Sequence, residues 1–166
     1  MKLDRISAMA EIASSVAILG TLVYLAVQTS QNTAAVRAST RQAMLAEDRE
    51  VLSLQFEYPE VLEYMSREVG SLEDPEKIRL SSWLVIFLRN RENQWLQLQN
   101  GVIDEETWET YSSAIGPILS REIVRPWWEN RAASGEFDAG FVRQVNGILA
   151  EMPVRRQSVS ELTKFD

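Results

Sequence analysis

The chain has 166 residues, enough for one domain with an appendage, and 45% of them are hydrophobic, which supplies a core and argues against wholesale disorder. It contains 0 cysteines and 0 histidines, which excludes disulfides, zinc-finger sites, haem ligation through His, iron–sulfur clusters, Cys nucleophiles and Ser-His-Asp triads. Net charge is −7; residues 1–40 hold Lys2, Arg5 and Arg37 against Asp4 and Glu11, so the acidity belongs to the rest of the chain, which repels phosphate backbones and speaks against a nucleic-acid partner.

Ile6 to Val27 is a run of 22 residues, 16 of them apolar, with Glu11 its single charge. As a helix it covers about 33 Å, the thickness of a hydrocarbon core. It predicts a membrane-spanning helix, with Glu11 near one face. The competing readings are a buried core helix, because Ser14, Ser15 and Thr21 dilute the run, and a cleaved signal peptide, against which stands the lack of a clear small-x-small site after it. Ala10, Ala13, Ala17, Gly20 and Thr21 share one helical face, a small-residue stripe on which another membrane helix, from a second copy or a larger complex, can pack. Lys2 and Arg5 precede the span and no charge follows it until Arg37, so the positive-inside rule places the body in the periplasm. Residues 1–30 are therefore expected to be an anchor, 31–152 a helical body and 153–166 a polar tail.

Between Gly20 and Pro59 lie 38 residues without Gly or Pro, which predicts that the anchor helix continues as one rod to about Phe56. Ala38, Leu45 and Leu52, with Val51 and Phe56 beside them, form the stripe expected to pack on the body. Pro59 restarts the chain with a short amphipathic helix from Glu60 to Glu68, ended near Gly70. Asp74-Pro75-Glu76 predicts the next start, with Asp74 as cap. That helix runs to about Gln99, buries Leu80, Leu84, Phe87, Trp95 and Leu98, and stops at Asn100-Gly101. Asp104 caps a helix carrying Trp108, Tyr111, Ile115 and Leu119, which Pro117 kinks or splits. Pro126 opens a turn with Trp127 and Trp128, and Asp138 to Glu151 forms the last helix. No stretch alternates as a strand does, so the fold class is all-α: a long N-terminal helix, membrane-spanning and continuing into the body, packed with an irregular helical bundle.

Two charges, Arg91 and Glu92, stand on the apolar lines of the helix that ends at Gln99, where buried side chains are expected, and a charge so placed needs a partner. With Arg89, Trp95, Trp127 and Trp128 they mark either a buried ion-pair network or a polar, aromatic pocket for a ligand. Arg89 and Glu92 are spaced to pair at i,i+3. Trp127 and Trp128 point in different directions on a helix, so one is expected to be buried and the other partly exposed. No metal motif, phosphate-binding glycine loop or Ser-x-x-Lys motif is present, no cofactor is expected, and no Lys/Arg cluster is denser than Arg155-Arg156.

The order Gln31-Asn32-Thr33, the Arg/Glu/Asn-rich stretch Arg89 to Asn93, the Asp-Glu-Glu-x-Trp start at Asp104 to Trp108 and the pair Trp127-Trp128 resembles a group of uncharacterised bacterial proteins with an N-terminal membrane helix and an all-helical body. The resemblance implies a bacterial membrane-anchored helical protein and carries over no catalytic residue; a single pass of the inner membrane is expected. The expected function is protein–protein contact, as a scaffold or small accessory subunit of a membrane complex, with membrane lipid and another helix as partners. The alternative is a helical sensor or small-ligand-binding domain sited near Arg91, Glu92 and the tryptophans. An enzyme is not expected.

Overall fold

The computed structural model describes residues 2–155, apart from the side chains of residues 2–8, Ala10, Ile12 and Ala13. The described residues form seven helices: α1 (Lys2–Glu57), α2 (Glu60–Tyr64), α3 (Asp74–Gln99), α4 (Glu105–Ser112), α5 (Ile115–Leu119), α6 (Arg125–Ala133) and α7 (Ala139–Ala150). The chain divides into two compact units, residues 1–42 and 43–166, with the boundary inside α1.

In the first unit every side chain from Ser14 to Ser39 is exposed, including Val16, Ile18, Leu19, Leu22, Val23, Tyr24, Leu25 and Val27. Its hydroxyls are satisfied within the helix: Ser15 and Thr21 donate to the carbonyls of Glu11 and Ala17, each at 2.9 Å. Among the described residues no helix is long and apolar enough to cross a membrane. Part of the expected 6–27 span, and Ala10 and Ala13 of its small-residue stripe, lie outside the described side chains. Of that stripe, Ala17, Gly20 and Thr21 are exposed, and a Cβ at Gly20 would meet nothing within 4 Å.

The body is built around α3. Its start differs from the expected one: Glu73 is the cap residue, and its N–H donates to the Glu76 carboxylate at 2.9 Å. That bond, ahead of the nearby Arg67 guanidinium, holds the Glu76 carboxyl below the usual carboxylate range. Asp74 lies inside the first turn and pairs with Lys77 at 2.8 Å. The helix ends as the sequence predicts, with Gly101 at φ +68°, a conformation that side chains with a Cβ rarely adopt. α2 is shorter than expected; Ser66 and Arg67 bond back to Glu63 and Tyr64 at i,i−3, so the helix tightens into a turn instead of reaching Glu68.

Asp104 caps α4 by accepting from the Thr107 N–H at 3.0 Å. Pro117 splits the next segment as expected. It cannot donate to the Ser113 carbonyl, and α5 begins separately at Ile115. Asp138 caps α7 through the N–H groups of Gly140 and Phe141. Leu84, Leu88, Ile115, Leu119, Val124, Phe141 and Val145 form the fully buried centre. After α7 the chain returns beside the α5–α6 link: Arg155 donates to the Ser120 carbonyl at 2.8 Å and accepts from the Glu122 N–H at 3.0 Å. Residues 156–166 of the expected tail lie outside the described residues.

One packing expectation holds for Val51 and fails for its neighbours. The α1 residues buried in the body are Met44 and Val51, while Leu45 and Leu52 are about half exposed and Phe56 is 85% exposed. Both sets repeat at seven residues, and they differ by one position, a rotation of about 100° around the helix. Asp48 lies on the Met44–Val51 face, and it brings that face to α3.

Gly140 permits a close approach to a rigid ring. A Cβ there would stand 2.5 Å from the Trp95 ring, which has no flexible end to swing aside. Gly140→Ala should therefore destabilise the protein by about 1–3 kcal/mol in denaturant unfolding, although alanine is the better helix former. A neutral or stabilising result would contradict this packing.

Candidate functional site

α3 presents Arg91 and Glu92 to the interior, and each is only 7% exposed. Neighbouring positions on a helix diverge, so the two charges serve different contacts. Arg91 faces the C-terminal part of α1. Its Nη1 lies 2.8 Å from Asp48 Oδ1 and donates to Gln94 Oε1 at 2.7 Å and Asn90 Oδ1 at 3.3 Å. The guanidinium also lies over the rings of Phe87, at 5.0 Å, and Tyr111, at 5.7 Å. Beside it Asn93 donates to Glu47 Oε2 at 2.9 Å, so two consecutive acids of α1 engage two residues of α3.

Glu92 faces the start of α7. One carboxylate oxygen accepts from Arg89 Nη1 at 2.6 Å, the i,i+3 pair expected from the spacing. The other accepts from the backbone N–H of Asp138 at 2.5 Å. Asp138 is the cap of α7, so the Glu92 charge sits where the helix dipole is positive. Arg89 completes the clamp by donating to the Glu136 carbonyl at 2.7 Å and lying over the Phe137 ring at 4.7 Å. The 136–138 link is thereby fixed from a single turn of α3.

The tryptophans divide as the sequence predicts. Trp128 is 1% exposed, donates to Asn146 Oδ1 at 3.0 Å, and packs on Phe137 and Phe141. Trp95 meets the same cluster through Phe141. Trp127 is half-buried and donates to Ser81 Oγ at 2.9 Å, with the Arg131 guanidinium over its ring. Trp128 has no open face with which to cage a ligand. The six residues Arg89, Arg91, Glu92, Trp95, Trp127 and Trp128 thus do not enclose one space: they join α3 to α1, to the α7 cap, and to α6 in three separate contacts.

Three hollows of the body touch these six residues only at Trp127 and Arg89. A hollow of about 750 Å³ is bordered by Leu72, Ile78, Leu84, Ile123, Trp127 and Arg131. A second, of about 370 Å³, is bordered by Leu54, Tyr58, Val61, Ile78, Trp83 and Ile86. A third, of about 430 Å³, lies between Glu47, Val51, Leu54, Ile86 and Asn93. Arg91 and Glu92 border none of the three. Among the described residues no group of acids is placed to hold a metal ion.

Sequence reading found the two buried charges and the Arg89–Glu92 pair, and missed the partners that come from outside α3. Asp48 was findable in principle, since it falls between Met44 and Val51 at helical spacing; that signal was masked by the equally apolar stripe one position away. The Asp138 N–H carries no sequence signal for a bond to a side chain 46 residues earlier. No family model matches the chain, and neither a curated protein nor a solved structure matches it.

Removing either buried charge leaves its partner group without compensation. Arg91→Ala and Glu92→Ala should each cost about 3–5 kcal/mol in denaturant unfolding. Asp48→Ala combined with Arg91→Ala should cost clearly less than the sum of the two single changes. Unchanged melting of both single variants would contradict the network.

Proposed function

We propose that the protein is a membrane-anchored helical subunit that acts by protein–protein contact, with its body docking a partner helix along the outer face of α3. The observation that carries this reading is a run of exposed apolar surface on that face. Ile78 and Ile86 are exposed, and each borders two of the hollows. Tyr58 and Leu54 bound the surface on one side, and Ile123 and Trp127 on the other. Buried at the edge of the second hollow, the Trp83 indole N–H has no acceptor among the described residues. An apolar groove with a single unused donor fits a helix that inserts aliphatic side chains at i, i+4 and offers one carbonyl or hydroxyl.

The anchor reading rests on the 22-residue apolar run and on a helix whose described apolar side chains are exposed on all sides. Such a surface needs lipid or protein around it. Ser15 and Thr21, bonded to their own helix, are compatible with a lipid setting because their donors are used. The small-residue stripe supplies a face for a second helix, and the charges at Lys2 and Arg5 favour a periplasmic body.

The second reading, a small-ligand domain, draws on the 750 Å³ hollow, whose size suits a ligand. Ser81, Trp127 and Arg131 at its border are already engaged. Ser81 accepts from Trp127 and Arg131, and Arg131 pairs with Glu136 at 2.6 Å. A partner helix that needs few polar contacts suits this surface better.

Two outcomes are expected. Alkaline carbonate extraction should leave the full-length protein in the membrane pellet, and a C-terminal alkaline phosphatase fusion should be active; release into the supernatant would sink the anchor, and an inactive fusion would reverse the orientation. Ile78→Glu with Ile86→Glu should leave the melting temperature within about 2 °C, since exposed positions tolerate charge. The same change should abolish co-elution of the partner that purifies with the wild type in mild detergent. Co-elution unaffected by the double substitution would eliminate the α3 face as the docking surface.

A further inference from the structure

Arginines in this body are commonly paired when water is taken from them. Arg67 holds Glu63 and Glu76, Arg131 holds Glu136, and Arg91 holds Asp48, although the Arg91 Nε has no acceptor among the described residues. Two buried or half-buried arginines break the pattern. Arg121, in the link between α5 and α6, is 3% exposed, and its Nε and Nη1 have no acceptor among the described residues. Arg125, one helical turn on, donates from Nη2 to the Met152 carbonyl at 3.1 Å, while its buried Nε also lacks an acceptor among the described residues. The Arg125 N–H bonds to the Arg121 carbonyl at 2.9 Å, which sets the two residues on one turn. The Arg155 backbone is bonded on both sides of Arg121, to Ser120 and Glu122, while its side chain is exposed.

Among the described residues no carboxylate pairs with Arg121 or Arg125, in a protein with 24 acidic residues. Glu122, the nearest acid in sequence, is exposed, and its contact with Arg155 runs through its backbone. Burial pushes the Arg121 guanidinium down from its ordinary value, with no other group acting on it. Arginine does not shed its proton to escape burial, so the uncompensated charge persists and is costly. An oxyanion would supply the missing acceptors.

We infer that Arg121 and Arg125 form a binding site for a phosphate group. Phosphate fits better than carboxylate because it carries up to two charges and enough oxygens to accept from two guanidinium groups at once. The phosphate is either free or presented at the end of a larger molecule such as a lipid headgroup. This site is distinct from the α3 groove and does not depend on the docking role.

The test is a thermal melt of the full chain in mild detergent at constant ionic strength. Inorganic phosphate, glycerophosphoglycerol as a soluble headgroup diester, and acetate are titrated separately. Phosphate or the diester should raise Tm saturably, by roughly 5–10 °C at a hundredfold excess over Kd. A shift with the diester alone assigns the phosphate to lipid, and a shift with inorganic phosphate alone assigns it to the free ion. Acetate should give no matching shift. Arg121→Met keeps the apolar stem and removes the buried charge, so it should melt at or above the wild type without phosphate and lose the phosphate-dependent shift. Arg125→Gln should weaken the shift at least tenfold in apparent Kd, which keeps the test decisive if Arg121→Met does not fold. Equal response to acetate, no saturable shift, or a shift retained in both variants would overturn the site.

Discussion

Neighbouring side chains on a helix point about 100° apart, and that simple divergence organises the body around Arg91 and Glu92. One charge reaches across to α1 and the other to the cap of α7, so a single turn of α3 ties together segments that are far apart in sequence. The apolar core excludes water around both. A buried charge does not add much stability for its own sake, because desolvation offsets most of the attraction. It does penalise every arrangement that leaves it unpaired. Slipping α1 along α3, or docking α7 in another place, would strand Arg91 or Glu92, and the packing is specific for that reason.

The aromatic cluster works on the same link by other means. Phe137 lies between the Arg89 guanidinium and the Trp128 ring, so the residues that Glu92 and Arg89 hold by polar contacts are also held by packing. Trp95 closes over Gly140 at the first turn of α7. Polar and apolar contacts converge on residues 136–141, and the short α5 and α6 helices are then confined between α3 and α7. The same confinement buries the α5–α6 link, with Arg121 in it.

What is left exposed is equally uneven. The described apolar side chains of residues 14–27 face outward all around their helix, and on the body exposed apolar residues gather along α3 and the end of α1. An amphipathic helix normally hides its apolar stripe. Leu45, Leu52 and Phe56 do not, because Met44 and Val51 already occupy the one face of α1 that meets the core. Surface of this kind is the physical basis for reading the protein as a component that meets lipid and other helices.

Local chemistry made the helices legible in the sequence. Gly101, Asp104, Pro117 and Asp138 act through their own backbone neighbourhood, so the boundaries they impose could be placed without knowing the rest of the molecule. The apolar lines on α3 likewise revealed Arg91 and Glu92 as charges in interior positions, and the adjacency of Trp127 and Trp128 required them to differ in burial. The tertiary structure alone decided which of two apolar stripes on α1 turns inward, since both satisfy the same period. It alone supplied Asp48 and the Asp138 N–H as partners. It also brought the Arg155 backbone beside Arg121, and it buried the Arg121 side chain without a carboxylate among the described residues. Periodicity reports what a residue's own helix wants; which groups meet across the core depends on how distant segments pack, and that information is not carried by any single segment.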